Sequence, residues 1–110
     1  MDSRLLWGIV EMLVLDVVSR GQSYGYEISQ QVTAQSAGYF DLKEGSLYPA
    51  LHRLERHGLL AATWAEADGR RRKYYKLTTA GKKAHAAKTA EWARFVAGVS
   101  GVLGGASGVA

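Results

Sequence analysis

The hydrophobic period of this chain changes near residue 60, and that change constrains its fold more than any other feature. Before it, apolar residues recur at helical spacing. From Leu60 to Glu66 and from Arg72 to Leu77 the pattern reads instead as two strands, the second rich in tyrosine. Asp68-Gly69 between them is a tight-turn pair, because both residues tolerate positive φ. The strands therefore form a hairpin, and the hairpin carries Arg70-Arg71-Arg72-Lys73 at its tip.

Three helices are predicted ahead of the hairpin and one after it. The first begins after Asp2 or Ser3 and runs to about Arg20, with Leu6, Ile9, Val10, Leu13 and Val17 along one face. Leu5, Met12, Val14, Leu15 and Val18 widen that face, so the helix must be covered on more than one side. Ser23 is placed to cap a second helix reaching about Ser36, with Ile28 and Val32 inward and a turn over Tyr39–Lys43. A third spans about Glu44 to His57 on an inward stripe of Leu47, Leu51 and Leu54. Pro49 is expected near its start, since a deeper proline would remove a hydrogen bond. Thr78 or Thr79 caps the fourth, from about Ala80 to Ala97, and from Gly98 onward recurring glycine predicts fraying.

Helix, helix, helix, hairpin, helix is the order of a winged helix-turn-helix. The fold class expected is α+β, mainly α: a winged helix-turn-helix of three helices and a two-stranded wing over residues 1–78. A C-terminal dimerisation helix follows over 79–98, then a glycine-rich tail over 99–110. A chain of 110 residues holds one modest core, and its 47% hydrophobic content suits a folded domain. No cysteine is present, which excludes disulfides and thiolate metal sites and fits a cytoplasmic, nucleoid-associated location. Glu11 and Asp16 interrupt the first apolar stretch, so it reads as a buried helix and no membrane is expected as a partner.

Charge points to a polyanion. The formal net charge is +4, from 14 lysines and arginines against 10 acids. Lys43, Arg53, Arg56, Arg70, Arg71, Arg72, Lys73, Lys76, Lys82 and Lys83 all fall within one stretch. Such a block gains free energy at a nucleic-acid surface through counterion release. On the third helix, Ser46, Tyr48, Pro49, His52, Arg53 and Arg56 are not needed for the core. Tyr48, His52 and Arg56 recur every fourth residue and offer a hydroxyl, an imidazole and a guanidinium to a major groove. Four consecutive cations, Arg70 to Lys73, gain little from the few acids around them and suit phosphates or a minor groove. Lys43 joins this set, as do Tyr24 and Tyr26, of which one packs and the other is free to donate to a phosphate. The blander alternatives are a solvated helix face and a solubility device at the wing. His52, His57 and His85 lack metal-ligand spacing, and no nucleophile elbow or phosphate loop appears, so neither a cofactor nor an enzyme is indicated.

Three segments carry a family resemblance. Tyr24-Gly25-Tyr26-Glu27-Ile28, then Glu44-Gly45-Ser46-Leu47-Tyr48-Pro49-Ala50-Leu51-His52-Arg53-Leu54-Glu55, and Gly69-Arg70-Arg71-Arg72-Lys73-Tyr74-Tyr75-Lys76-Leu77-Thr78 resemble the PadR-like (phenolic-acid decarboxylase repressor) regulators. The match is dense from about Leu13 to Gly81, and the single C-terminal helix resembles the smaller subfamily. The resemblance implies a winged-helix homodimer that represses transcription from inverted-repeat operators in double-stranded DNA and is released by an effector or other signal.

The residues independently favour a dimer. The first helix is too apolar for a small core to cover, and the stripe of Trp92, Phe95, Val96 and Val99 has no intramolecular partner left. Leu6, Trp7 and Val10 are placed with that stripe at the dimer interface. An aromatic-walled cavity between Trp7 and Trp92 would suit a flat aromatic small molecule, with plain packing of tryptophan as the alternative. The competing functional class is a winged-helix dimerisation or protein-interaction module without specific DNA readout.

Overall fold

In a computed structural model, which describes residues 3–104 with side chains from residue 8 onward, the first helix α1 spans Ser3–Ser19. A short strand β1 (Ser23–Tyr24) leads into α2 (Gly25–Gln35), and α3 covers Glu44–Arg56. The strands β2 (Leu60–Ala67) and β3 (Arg70–Leu77) form the wing, and α4 spans Thr79–Leu103.

The core is built where the apolar faces of the first three helices meet the base of the wing. Val10, Val14, Leu15, Val17 and Val18 of α1 are buried against Ile28 and Val32 of α2 and Leu47, Ala50, Leu51 and Leu54 of α3. Leu60 and Tyr75 close it from the hairpin. The centre of α1 lies on Val14 and Leu15, both fully buried, while Ile9 and Leu13 are only half-buried. The inward face is thus rotated from the expected stripe, as an all-round apolar helix permits. Pairing of β2 with β3 runs in register from Leu60↔Leu77 to Ala67↔Arg70. At their turn Asp68 and Gly69 take φ of 53° and 73°, the positive values that the dipeptide predicted.

Three local expectations are corrected. The wing is part of a three-stranded sheet in the order β1-β3-β2, because Ser23 and Tyr24 pair with Tyr75 and Tyr74. Ser23 is therefore a buried strand residue whose hydroxyl donates to the Gly21 carbonyl, and Tyr24 stands at the N-cap of α2. Pro49 lies inside α3, beyond its first turn. The helix tolerates it because the partner carbonyl, on Gly45, is at an exposed position where water can serve it. Finally, α4 continues through Gly98 and Gly101 to Leu103, where Gly104 caps it in the left-handed region at φ 94°. Helical backbone accommodates those glycines at a modest cost of about 1 kcal/mol each. Residues 105–110 of the expected tail lie outside the described residues.

The root of α4 is fastened to the end of α3. Thr78 is the N-cap: its hydroxyl accepts from the Gly81 amide at 2.9 Å and donates to the Gly58 carbonyl at 2.6 Å. Gly81 is buried so closely on Leu59 that an added Cβ would overlap the Leu59 carbonyl. Further along, His85 Nε2 meets Asp16 Oδ1 of α1 at 2.8 Å. At 1.5 Å per residue the helix is about 37 Å long. That length carries its far end past the core, and the molecule measures 55 × 28 × 25 Å.

Candidate nucleic-acid interface

The outer face of α3 and the wing beside it form one continuous basic surface. Leu47, Leu51 and Leu54 anchor α3 to the core, so Tyr48, His52 and Arg56 turn outward, as the spacing required. Tyr48 is 41% exposed, and Pro49 shares that outer side, while Ser46 is half-buried. The Tyr48 ring lies over the start of α2: a Cβ on Gly25 would come within 2.9 Å of its hydroxyl. Gly25 is thus a site residue that pattern reading missed. Its signal was a glycine at the first position of a helix, where close approach by another side chain asks for no Cβ.

Around Tyr48 the chain forms an open concavity of about 420 Å³, shared by α2, α3 and the wing. Tyr24, His52 and Arg72 line it, together with Trp64, a second residue not anticipated. Trp64 is opposite Lys73 in the ladder and 55% exposed, and the Arg71 guanidinium lies 5.0 Å from its ring centre. Tyr24 packs edge-on against Tyr74 at 5.5 Å, whereas Tyr26, 62% exposed, is the free tyrosine of the pair.

The four wing cations are not equivalent, contrary to the expectation that intramolecular partners would be scarce. Alternation along β3 sends consecutive side chains to opposite faces. Arg70 and Arg71 are exposed. Arg72 lies over the Tyr24 ring at 4.4 Å, and its hydrogen bond with Tyr74 holds its guanidinium above the usual pKa. Lys73 reaches Glu55 on α3 at 3.1 Å and lies near the Tyr75 ring; the Glu55 hydrogen bond raises its pKa. Tyr75, beneath it, is pushed up by burial.

Arg53 is the clearest departure. Its position between Leu51 and Leu54 turns it toward α1, where its Nε donates to Glu11 at 2.7 Å with both side chains mostly covered. It braces α3 on α1 and is removed from the groove-facing set. Lys43, at the N-cap of α3, pairs with Asp41 at 2.8 Å in solvent, and that hydrogen bond raises its pKa. An exposed pair of this kind is weak and gives way readily to a phosphate.

On the other side of the molecule, α1 and α4 enclose a cleft of about 300 Å³ lined by Gly8, Ile9, Met12, Lys88, Glu91, Trp92 and Phe95. Trp92 and Phe95 stack at 5.4 Å with 25° between their planes. Val10, expected at this surface, is instead buried at 2% exposure in the core that α1 shares with α2, α3 and the base of the wing. The side chains of Leu6 and Trp7 lie outside the described residues. Among the described residues no group of histidine, aspartate and glutamate is arranged to hold a metal, and no helix is long and apolar enough to cross a membrane.

Comparison with known proteins agrees with this geometry. The model of the transcriptional regulator PadR-like family matches residues 14–87, which covers α2, α3 and the whole wing. An uncharacterised protein of Lysinibacillus sphaericus is 34% identical over 92 residues, covering 83% of this chain and 84% of the relative. A crystal structure from Streptococcus mutans superposes with a TM-score of 0.82 at 39% identity over 90% of each chain. A PadR family transcription regulator from Clostridium difficile superposes at 0.74 with 37% identity, covering 87% of this chain and 98% of that one. Members of the family regulate transcription through DNA and are not enzymes. By its matched residues, its fold and its basic α3–wing surface, this chain belongs to the PadR-like family of transcriptional regulators.

Proposed function

We propose that the protein is a homodimeric repressor that binds an inverted-repeat operator and is released when a small molecule enters the cleft between α1 and α4. The observation that carries this reading is the outer stripe of α4. Trp92, Phe95, Val96, Val99, Val102 and Leu103 are each at least 40% exposed in the single chain. Five of them, all but Val102, recur at i, i+3, i+4, i+7 and i+11, so they lie on one side of the helix. A contiguous apolar surface of this kind is costly in water and marks an interface. A second copy related by a two-fold axis covers it with the same surface, and that axis also sets two α3 helices on one side of the duplex.

Base reading falls to Tyr48 and His52, with Ser46 and Pro49 beside them. Tyr26, Lys43, Arg56, Arg70 and Arg71 face the phosphates, and Tyr24 and Arg72 support the wall between α2 and the wing. The effector fitting the α1–α4 cleft is flat and apolar, since stacked Trp92 and Phe95 form one wall, and Lys88 and Glu91 at its edge can orient a polar substituent. Its action takes place in the cytoplasm, on chromosomal DNA.

Selection from a random duplex pool with purified protein, followed by sequencing, tests the reading. An enriched inverted repeat with half-sites about one helical turn apart is the expected result. A pool that shows no enrichment, although protein and duplex bind, would leave a phosphate-only binder and reject the operator.

A further inference from the structure

Among the acidic side chains on the basic surface, Glu55 lies between α3 and the wing. Glu55 follows His52 by three residues and so neighbours it on α3, and Arg56 borders the same concavity. Across from them Lys73 projects from β3, and the four side chains border a shallow, open concavity of about 500 Å³ between α3 and the wing. A carboxylate here opposes the approach of any polyanion. It is also bound: Lys73 Nζ lies 3.1 Å from Glu55 Oε1, with the two side chains 28% and 37% exposed.

We infer that this concavity is a seat for a backbone phosphodiester, and that Glu55 occupies it in the free protein as a carboxylate surrogate competing with DNA for Lys73. The inference rests on the duplex-binding reading above. Arg56 and Lys73 border one space from two elements, with His52 at its edge, and two cations so placed can hold a single phosphate between a helix and a wing. A phosphodiester and a carboxylate present equivalent oxygens to an ammonium, so one can replace the other on Lys73 with little rearrangement. The Lys73 ammonium also lies 5.4 Å from the Tyr75 ring centre, a second contact that does not depend on which acceptor it meets. Glu55 therefore sets the strength and salt dependence of binding: while it holds Lys73, that cation contributes one counterion fewer to the complex.

Salt titrations of binding to a random duplex separate this role from that of a simple strut. Glu55→Gln removes the competitor, so the log–log salt slope should steepen by about 0.9, which is about eightfold tighter binding at roughly 0.1 M salt. Adding Lys73→Gln should abolish the gain. Asp16→Asn on α1, whose carboxylate pairs with Arg20 and His85, changes net charge equally and should leave the slope unchanged. Glu55→Gln with an unaltered slope, with or without a lower melting temperature, makes the pair a strut and overturns the inference. So does an equal gain in Asp16→Asn, which would reflect net charge alone. Ammonium nitrogen resonances supply a second readout: saturating duplex should shift the Lys73 signal further in Glu55→Gln than in the wild type, and equal shifts count against the competition. Folded wild-type dimer that binds no duplex at low salt would instead bring down the duplex-binding reading, and this inference with it.

Discussion

Arg53 and Arg56 are three residues apart on one helix, and their surroundings give them different roles. Arg53 is held by Glu11 in a mostly covered ion pair, while Arg56 is exposed beside the wing. Arg53→Met should therefore lower stability by about 1 kcal/mol in a urea melt and leave the salt slope of duplex binding intact. Arg56→Met should do the reverse, reducing the slope by about 0.9 with no change in the melt. Helical spacing alone could not separate the two, because Arg53 lies at the boundary between the leucine stripe and the outer face. Its assignment depended on Glu11, 42 positions away in sequence. Gly25 poses the same difficulty in a smaller space. Gly25→Ala presses on the end of the flexible Tyr48 side chain and not on backbone, so the fold should survive. Displacing Tyr48 should still cost about 1–3 kcal/mol of operator affinity, with random-duplex binding nearly unchanged in parallel gel shifts. Equal losses on both duplexes would mean that Tyr48 positions the protein without reading bases.

At the scale of elements, the wing and the root of α4 are where local chemistry dictates geometry. Among the described residues no carboxylate pairs with Arg70 or Arg71, whereas Arg72 and Lys73 are engaged by Tyr24 and Glu55. Replacing Arg70 and Arg71 together by alanine should flatten the salt slope by about 1.8 and weaken specific and random duplexes alike. At the root of α4, Gly81→Ala drives a Cβ into the Leu59 carbonyl, a backbone atom that cannot swing aside. The expected loss of stability is about 1–3 kcal/mol by thermal or urea melt. The order of elements was legible in the sequence because the period changes at Leu60 and returns to helical spacing after Leu77, and because Asp68-Gly69 marks the turn. β1 was not legible, since Ser23-Tyr24 is two residues long and has no period of its own. Nor was the length of α4. Gly98 and Gly101 resemble breakers, yet each costs a helix only about 1 kcal/mol, and the left-handed stop comes at Gly104. The four wing cations looked alike in sequence because their partners, Tyr24 and Glu55, come from other elements.

For the whole molecule, the distribution of apolar surface decides the assembly. The subunit core is closed by α1, α2, α3 and the base of the wing, and α4 contributes little beyond Gly81 to it. What α4 offers instead is its outer stripe and one wall of the cleft against α1. Apolar area withdrawn from water is worth about 25 cal/mol per Å², so an interface of ordinary size, about 800 Å² per partner, outweighs the entropy of association. Because α4 is fastened to the end of α3 through Thr78, Gly58 and Leu59, the axis of the proposed dimer would also set the separation of the two α3 helices. Dimerisation and operator binding should consequently fail together. The most direct test is sedimentation and gel shift on one preparation of Phe95→Glu beside the wild type. The prediction is a wild-type dimer at micromolar concentration that shifts its selected operator, and a variant that sediments as a folded monomer and does not. A wild-type chain that sediments as a monomer yet binds the operator tightly would contradict it.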